Sequence, residues 1–287
     1  MTDITVVVPS YNRPERLQGC LQALMAQREA GQYEVVVVDD GSATPLAPVC
    51  AEFGPLVRCL RQTNAGPAAA RNAGAAAAHG RFLAFTDDDC RPQPLWLASL
   101  LAAQENRPER LVGGRVVNGL RDNPYAESSQ MLCDYLYEYF GASSDGMPFF
   151  TSNNMGCNAA SFAEIGGFDE TFPLAAAEDR DFGLRWGEAG GSLTYAPDAV
   201  VDHFHALTMP RYWRQHANYG RGARHLHRRL DSRHSDRPKR EPLQFYMGLV
   251  LHPLRRLGMR GLSQSALMAL SQIAMVRGYA SERRAGG

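Results

Sequence analysis

The sequence predicts an α/β protein with a mainly parallel central sheet flanked by helices, followed by a helical C-terminal extension. Short, nearly all-apolar, β-branched runs alternate with helix-length stretches from the first residues onward, and polar residues collect at the ends of those runs. The extension is marked by charge. From Leu207 onward there are sixteen Arg or Lys against four Asp or Glu, and before it fourteen against twenty-six, so a chain of 287 residues with no net charge carries opposite excesses on its two parts.

Strands are read at residues 4–8, 35–38, 56–60 and 82–85, with helices at 15–30, 48–53, 67–78 and 93–104. Strands that are apolar on both alternations need cover on both faces, which the crossover helices of βαβ units supply. Gly66-Pro67 opens the Ala-rich third helix, and Gly74 inside it costs about 1 kcal/mol relative to Ala, consistent with close packing. After Gly113-Gly114 the pattern loosens as far as Pro124. An aromatic helix follows at 127–140, and residues 143–148 read as a loop, so this middle region has the character of an insertion or lid. A helix at 177–189 and strands at 193–195 and 200–203 come next. Past Pro210 the chain reads as basic amphipathic helices, broken at 232–242 by polar and proline-rich sequence.

Several function classes are disfavoured. Neither GxGxxG nor GxxxxGK[ST] follows the first strand, which argues against dinucleotide oxidoreductases and P-loop enzymes. The acidic front part argues against a nucleic-acid face there, whereas the basic tail suits phosphates, anionic headgroups or an acidic partner. Cys20, Cys50, Cys59, Cys90, Cys133 and Cys157 form no CxxC pair or dense scaffold, so a reducing cytoplasm is expected. No export signal is visible. Residues 243–257 and 262–280 are interrupted by His252, Arg255, Arg256, Gln264, Gln272 and Arg277, so no spanning helix is expected.

Open α/β sheets place ligands at the carboxyl ends of their strands. Here strand one ends in Pro9-Ser10-Tyr11-Asn12, strand two in Asp39-Asp40-Gly41-Ser42 and strand four in Thr86-Asp87-Asp88-Asp89. One acidic turn is ordinarily a loop or a helix cap; three at one sheet edge point to a site. Adjacent carboxylates raise one another's pKa, a cost a divalent cation relieves, and oxygen ligands suit Mg²⁺ or Mn²⁺ completed by substrate phosphates. Arg71 is placed to reach a phosphate or to hold a strand-end carboxylate. Glu178-Asp179 opens a helix, where acids also favour the macrodipole, and His203 and His205 alternate on one side of a strand.

In order along the chain, VVVPSYNRPERL (6–17), VVVDDGS (36–42), NAGPAAARNAG (64–74) and FTDDD (85–89) resemble a family-2 glycosyltransferase of bacterial type. The likeness continues through Gly113-Gly114-Arg115, GGFDE (166–170), Glu178-Asp179 and VVDHFH (200–205). It implies a GT-A fold and metal-assisted, inverting transfer from a nucleoside-diphosphate sugar. By resemblance, Asp87 and Asp89 form the DxD motif, Asp89 is the principal metal ligand and His203 completes the Mn²⁺ or Mg²⁺ site. Asp88 falls near the ribose, Asp40 reads the base, and Pro9, Tyr11, Asn12 and Asp39 surround the nucleotide.

Inversion needs a base opposite the leaving diphosphate. Asp179 matches the family's base, and Glu178 orients it or binds the acceptor. The QxxRW motif of processive synthases is missing, since Arg185-Trp186 lies in the same helix as Glu178 without the Gln, so transfer is expected to be non-processive. The resemblance implies a catalytic domain over 1–206, with a nucleotide-binding half over 1–117 and an acceptor-binding half over 118–206, and an extension over 207–287. A nucleotidyltransferase or a non-catalytic sugar-nucleotide-binding module is the competing reading; the former usually has a Gly-rich, Lys-bearing start, whereas this chain has one lysine, Lys239. For the tail, two roles are expected. It contacts the inner face of a membrane through Leu226, Leu230 and the apolar faces of 243–257 and 262–280, serving a lipid-linked acceptor, or it packs on the catalytic domain or a second copy.

Overall fold

The structure, a computed structural model, describes residues 3–141, 147–172, 174–233 and 241–281. Most of the loop read at 143–148, and most of the break read at 232–242 including Lys239, lie outside the described residues. The elements run β1 (Ile4–Ser10), α1 (Pro14–Met25), β2 (Tyr33–Asp39), α2 (Ala47–Ala51), β3 (Val57–Arg61), α3 (Pro67–Ala76), β4 (Phe82–Thr86), β5 (Cys90–Pro92), α4 (Trp96–Gln104) and β6 (Arg110–Asn118). They continue as α5 (Pro124–Gly141), β7 (Asn154–Asn158), α6 (Ala159–Ile165), α7 (Glu178–Glu188), β8 (Ser192–His203), α8 (Met209–Arg233), α9 (Leu243–Leu257) and α10 (Leu262–Ser281).

The chain divides into two compact units. One comprises Met1–Val117, Asp145–Thr171 and Glu178–Phe204; the other comprises Asn118–Ser144, Phe172–Ala177 and His205–Gly287. The first holds an eight-stranded sheet in the order β3-β2-β1-β4-β7-β6-β8-β5. β3, β2, β1 and β4 pair in parallel, whereas β7 is antiparallel to β4 and β6, and β5 is antiparallel to β8. The sheet is therefore mixed, with its parallel part confined to the strands that read most clearly as βαβ units.

Both faces of that parallel part are covered, which explains its unbroken apolar runs. Ile4, Val6 and Val8 of β1 and Val35 and Val37 of β2 pack with Leu17 and Leu21 of α1 and with Trp96 and Leu97 of α4. Val36 and Val38 pack with Ala70 of α3. A Cβ at Gly74 would collide with Val7, so the glycine inside α3 lets the helix lie close on the sheet.

The differences from the sequence reading are local. The first helix stops at Met25 rather than residue 30, where Glu29 and Gly31 adopt positive φ. The fourth starts at Trp96 because the Gln93 N–H is bonded to the Val200 carbonyl. The strands read at 193–195 and 200–203 are one strand, β8, which ends at His203, so His205 is not on it. β6 and β7 give no clean period-two signal because close contacts choose their residues. A Cβ at Gly113 would enter the Phe150 ring, and one at Gly114 would strike the Ala199 carbonyl oxygen and the Asn154 amide. Asn154, fully buried, accepts from Trp96 Nε1 at 2.8 Å and donates to the carbonyls of Arg115 and Ala199.

The second unit, taken by itself, is helical. α8 and α10 meet through small residues: a Cβ at Gly220 would strike the Met275 carbonyl oxygen, and one at Gly278 that of Ala217. Buried hydroxyls find backbone partners, Tyr212 donating to the Leu267 carbonyl and Tyr135 to that of Phe245, each at 2.8 Å. The expectation that Leu226 and Leu230 face lipid is overturned. They are 4% and 0% exposed, because α8 turns that face into the unit's interior.

Replacing Gly114 with Ala forces a methyl against a backbone carbonyl that cannot swing aside. The expected loss is about 1–3 kcal/mol in urea unfolding. A change below about 0.5 kcal/mol would contradict the close approach at β6.

Candidate active site

The site lies in the first unit, at the carboxyl ends of β1, β2 and β4. The chain leaves β1 through Asn12, whose φ of 55° is in the left-handed region that Asn tolerates. Its N–H donates to Ser42 Oγ at 2.9 Å and its side-chain oxygen accepts from the Ala43 N–H at 2.8 Å, joining the β1 turn to the β2 turn. Pro9 is half-buried, and Tyr11 presents its ring to solvent at 48% exposure.

Asp39 and Asp40 hold the turn after β2. Asp39 accepts from the N–H groups of Ser42 and Leu46 and from Arg61 Nη1 at 2.8 Å. Burial pushes its carboxyl up, but the bonds from Ser42 and Leu46 and the Arg61 charge outweigh that and hold it below its ordinary value. Asp40 accepts from Gln62 Nε2 and the N–H groups of Ala65 and Gly66, so both of its oxygens serve the loop that enters α3. Gly41, with φ of 80°, passes against the backbone of Asn64, where a side chain has no room.

The three carboxylates after β4 go to different partners. Asp87 accepts from Arg71 Nη2 at 2.7 Å. Asp88 accepts from Ser10 Oγ at 2.7 Å and Arg13 Nη1 at 3.1 Å; burial, opposed by Arg13 and reinforced by Asp89, pushes its carboxyl up to about 6. Asp89 accepts from Arg16 Nη1 at 3.0 Å and lies 3.3 Å from His203 Nε2. The last contact follows from register, since Cys90 of β5 pairs opposite His203 of β8.

Ligand atoms of Asp89, Cys90 and His203 lie within 4.8 Å of one another. Of the residues read as metal ligands, the structure brings Asp89 and His203 together, while Asp87 is engaged by Arg71. Carboxylate and imidazole suit Mn²⁺ or a similar ion. Burial first, and then the nearby aspartates, pushes the Cys90 thiol well up.

Arg71, 3% exposed, reaches from Asp87 to Glu178 Oε1 at 3.3 Å, joining α3, the end of β4 and the start of α7. Its Nε and Glu178 Oε2 are buried without a protein hydrogen-bond partner. Burial, reinforced by Asp179 and opposed by Arg71, pushes the Glu178 carboxyl up to about 7. Asp179 is half-buried, accepts from the Arg180 N–H at 2.8 Å, and has its carboxyl raised, again chiefly by burial.

Other residues of the quoted motifs carry functions that the sequence reading did not assign. Asn72 bonds both the N–H and the carbonyl of Phe168 and so pins the GGFDE turn to α3. Arg185 pairs with Asp181 at 2.7 Å and donates to the carbonyls of Ile165 and Gly167, closing the same turn from α7. Arg13 and Arg16 were legible only as part of the NRPER string. Two arginines entering a helix near three aspartates were the available signal.

The fold is of the GT-A type. The chain belongs to glycosyl transferase family 2, whose model matches residues 5–166. A pre-mycofactocin glycosyltransferase of Mycobacterium tuberculosis is 33% identical over 238 residues, 77% of this chain and 47% of the relative. A validoxylamine A glucosyltransferase of Streptomyces hygroscopicus subsp. limoneus is 30% identical over 227 residues, 68% of this chain and 50% of the relative. The chain thus spans about half the length of these curated relatives. Among solved structures, a mannosyltransferase from Pyrobaculum calidifontis in complex with GDP-Man and Mn²⁺ superposes with a TM-score of 0.62 at 19% identity, covering 99% of this chain and 79% of the other, a likeness of fold.

Arg71→Met should cost about 3–5 kcal/mol, because it leaves Glu178 and Asp87 without their shared cation. The loss should also depend on pH. A Glu carboxyl raised to about 7 in the folded state binds a proton that the unfolded chain has already released, so its contribution to stability declines as pH rises toward and through 7. Without Arg71 the carboxyl moves higher still, and the melting deficit should be larger at pH 8 than at pH 5. Thermal melts at both values test this; an equal deficit would show that the Arg71–Glu178 contact carries no electrostatic coupling.

Proposed function

We propose that the first unit transfers a sugar from a nucleoside-diphosphate sugar to an acceptor hydroxyl, one transfer at a time, with inversion at the anomeric carbon. The carrying observation is the buried Asp87–Arg71–Glu178 bridge, which links the strand-end carboxylates suited to a metal and diphosphate to the carboxylate pair suited to acid–base work. The GDP-Man and Mn²⁺ bound by the mannosyltransferase of the same fold support this reading. So do the orphaned Arg71 Nε and Glu178 Oε2, buried polar atoms that a ligand would satisfy.

At the nucleotide end, Pro9, Tyr11 and Asn12 border the base and ribose, with the exposed Tyr11 ring as the stacking surface. Asp40 reads the base and Asp39 borders the nucleotide, each held in place by the internal bonds its oxygens accept. Asp88 lies on the ribose side. Asp89 and His203 would hold the divalent ion, with Asp87 beside the diphosphate. When bound, the ion neutralises the charge that develops on the leaving diphosphate.

Asp179 takes the acceptor hydroxyl's proton as that oxygen attacks the anomeric carbon from the face opposite the diphosphate. The bond from that carbon to the phosphate oxygen breaks, and its electron pair leaves with the diphosphate. A carboxyl raised by burial is a stronger base than an ordinary aspartate once ionised. Glu178, held by Arg71, orients the acceptor. The reaction is placed on the cytoplasmic side, with a lipid-carried hydroxyl as acceptor, a choice supported by the basic composition of the tail.

Asp89→Ala should abolish the Mn²⁺-dependent part of nucleoside-diphosphate binding in calorimetry. Equal affinity in chelator and in the variant would remove Asp89 and His203 from the metal site. Asp179→Asn should leave donor affinity within about twofold and lower kcat by roughly 10²-fold or more. Near-normal turnover would move the base to another residue, Glu178 first.

A further inference from the structure

Helix α9 is apolar on two opposite faces. Phe245, Gly248, Leu249, His252 and Pro253 are turned into the second unit. At 100° per residue, Leu243, Tyr246, Met247, Val250, Leu251 and Leu257 form a stripe on the other side. Leu243 is 74% exposed, Met247 54%, and Val250 and Leu251 are half-buried. Five of the six line one shallow hollow. Just past the helix, Met259 at 81% and Leu262 at 57% exposure extend the apolar surface. Single exposed leucines are unremarked on protein surfaces, but a continuous stripe backed by a packed face is a helix with a second neighbour to meet.

Charge identifies that neighbour. From residue 242 to residue 281 the chain carries Arg255, Arg256, Arg260 and Arg277 and no Asp or Glu. Arg256 is bonded to Asp134 Oδ2 within the unit at 2.6 Å, whereas Arg255 and Arg260 stand exposed beside the end of the stripe. A second copy of this segment would bring further arginines and no Asp or Glu from 242–281 to pair with them. An anionic bilayer surface receives both features at once, the apolar side chains among the acyl chains and the guanidinium groups among headgroup phosphates. Tyr246, 44% exposed and near the start of the stripe, has the amphipathic ring that favours that depth. No described helix is long and apolar enough to cross a membrane.

We infer that the outer face of α9, continued through Met259 and Leu262 and flanked by Arg255 and Arg260, is a docking surface for anionic lipid headgroups. It replaces the α8 face as the lipid contact, since Leu226 and Leu230 are interior. The inference stands on this surface alone and does not depend on the transfer chemistry.

Flotation of the full chain with vesicles of phosphatidylcholine, alone or mixed with phosphatidylglycerol, tests it. The chain should float with the mixed vesicles, weakly or not at all with phosphatidylcholine alone, and less well as salt is raised. Leu243→Ser combined with Met247→Ser should lower partitioning at least tenfold. Arg255→Gln and Arg260→Gln should each lower it roughly fivefold on the mixed vesicles. These side chains face solvent, so circular dichroism melts should stay unchanged and separate lost binding from lost folding. A chain that stays unbound to mixed vesicles at low salt overturns the inference, as does flotation indifferent to all four substitutions. A solution dimer dissociated by Leu243→Ser and Met247→Ser, with no lipid binding, would assign the face to a second copy instead.

Discussion

Arg71 is a fully charged side chain almost removed from water, and such a group is tolerable only where fixed partners replace its hydration. Its partners are Asp87 at the end of β4 and Glu178 at the start of α7, the latter 107 positions away in sequence. The contact therefore fixes the position of α7 relative to the strand ends within the first unit. It also sets the electrostatics. Burial raises the Glu178 carboxyl, and Arg71 limits how far. A site assembled around one guanidinium is sensitive at every member, since each holds a charge that the others neutralise.

The same logic runs through the rest of that unit. Asp39 and Asp40, read as nucleotide contacts from their position, also accept bonds from backbone N–H groups and from Arg61 and Gln62, which fix the turn that carries them. Asn72 and Arg185 hold the GGFDE turn from two helices, and Asn154 joins β7 to Trp96, Arg115 and Ala199. Buried polar groups of this kind are costly unless satisfied. Each therefore commits its loop to one conformation. Rigidity of the strand-end turns is what lets side chains from distant positions meet at hydrogen-bond distance.

In the second unit small residues and apolar side chains divide the work. Gly220 and Gly278 allow α8 and α10 to approach backbone to backbone, and Tyr212 and Tyr135 pair their buried hydroxyls with carbonyls. Because α8 spends its apolar face on this packing, its arginines have no apolar companions at the surface comparable to those of α9.

Much of the fold was legible in the sequence because parallel strands covered on both faces leave a local mark, an unbroken apolar run with a polar turn at its end. β1 to β4, the helices between them and the three acidic or polar turns follow from that mark alone. The motif order VVVPSYNRPERL, VVVDDGS, NAGPAAARNAG and FTDDD pointed to family 2 for the same reason: each string is a strand end and its turn. Only the tertiary structure decided the rest. β6 and β7 carry glycine and asparagine chosen by contacts with Phe150, Ala199 and Trp96, which no local period reports. That Arg71 spans to Glu178, and that α9 rather than α8 exposes its apolar face, are facts of side chains far apart in sequence. Periodicity records which residues want burial, whereas pairing across the fold settles which of them obtain it and which charges must share a partner.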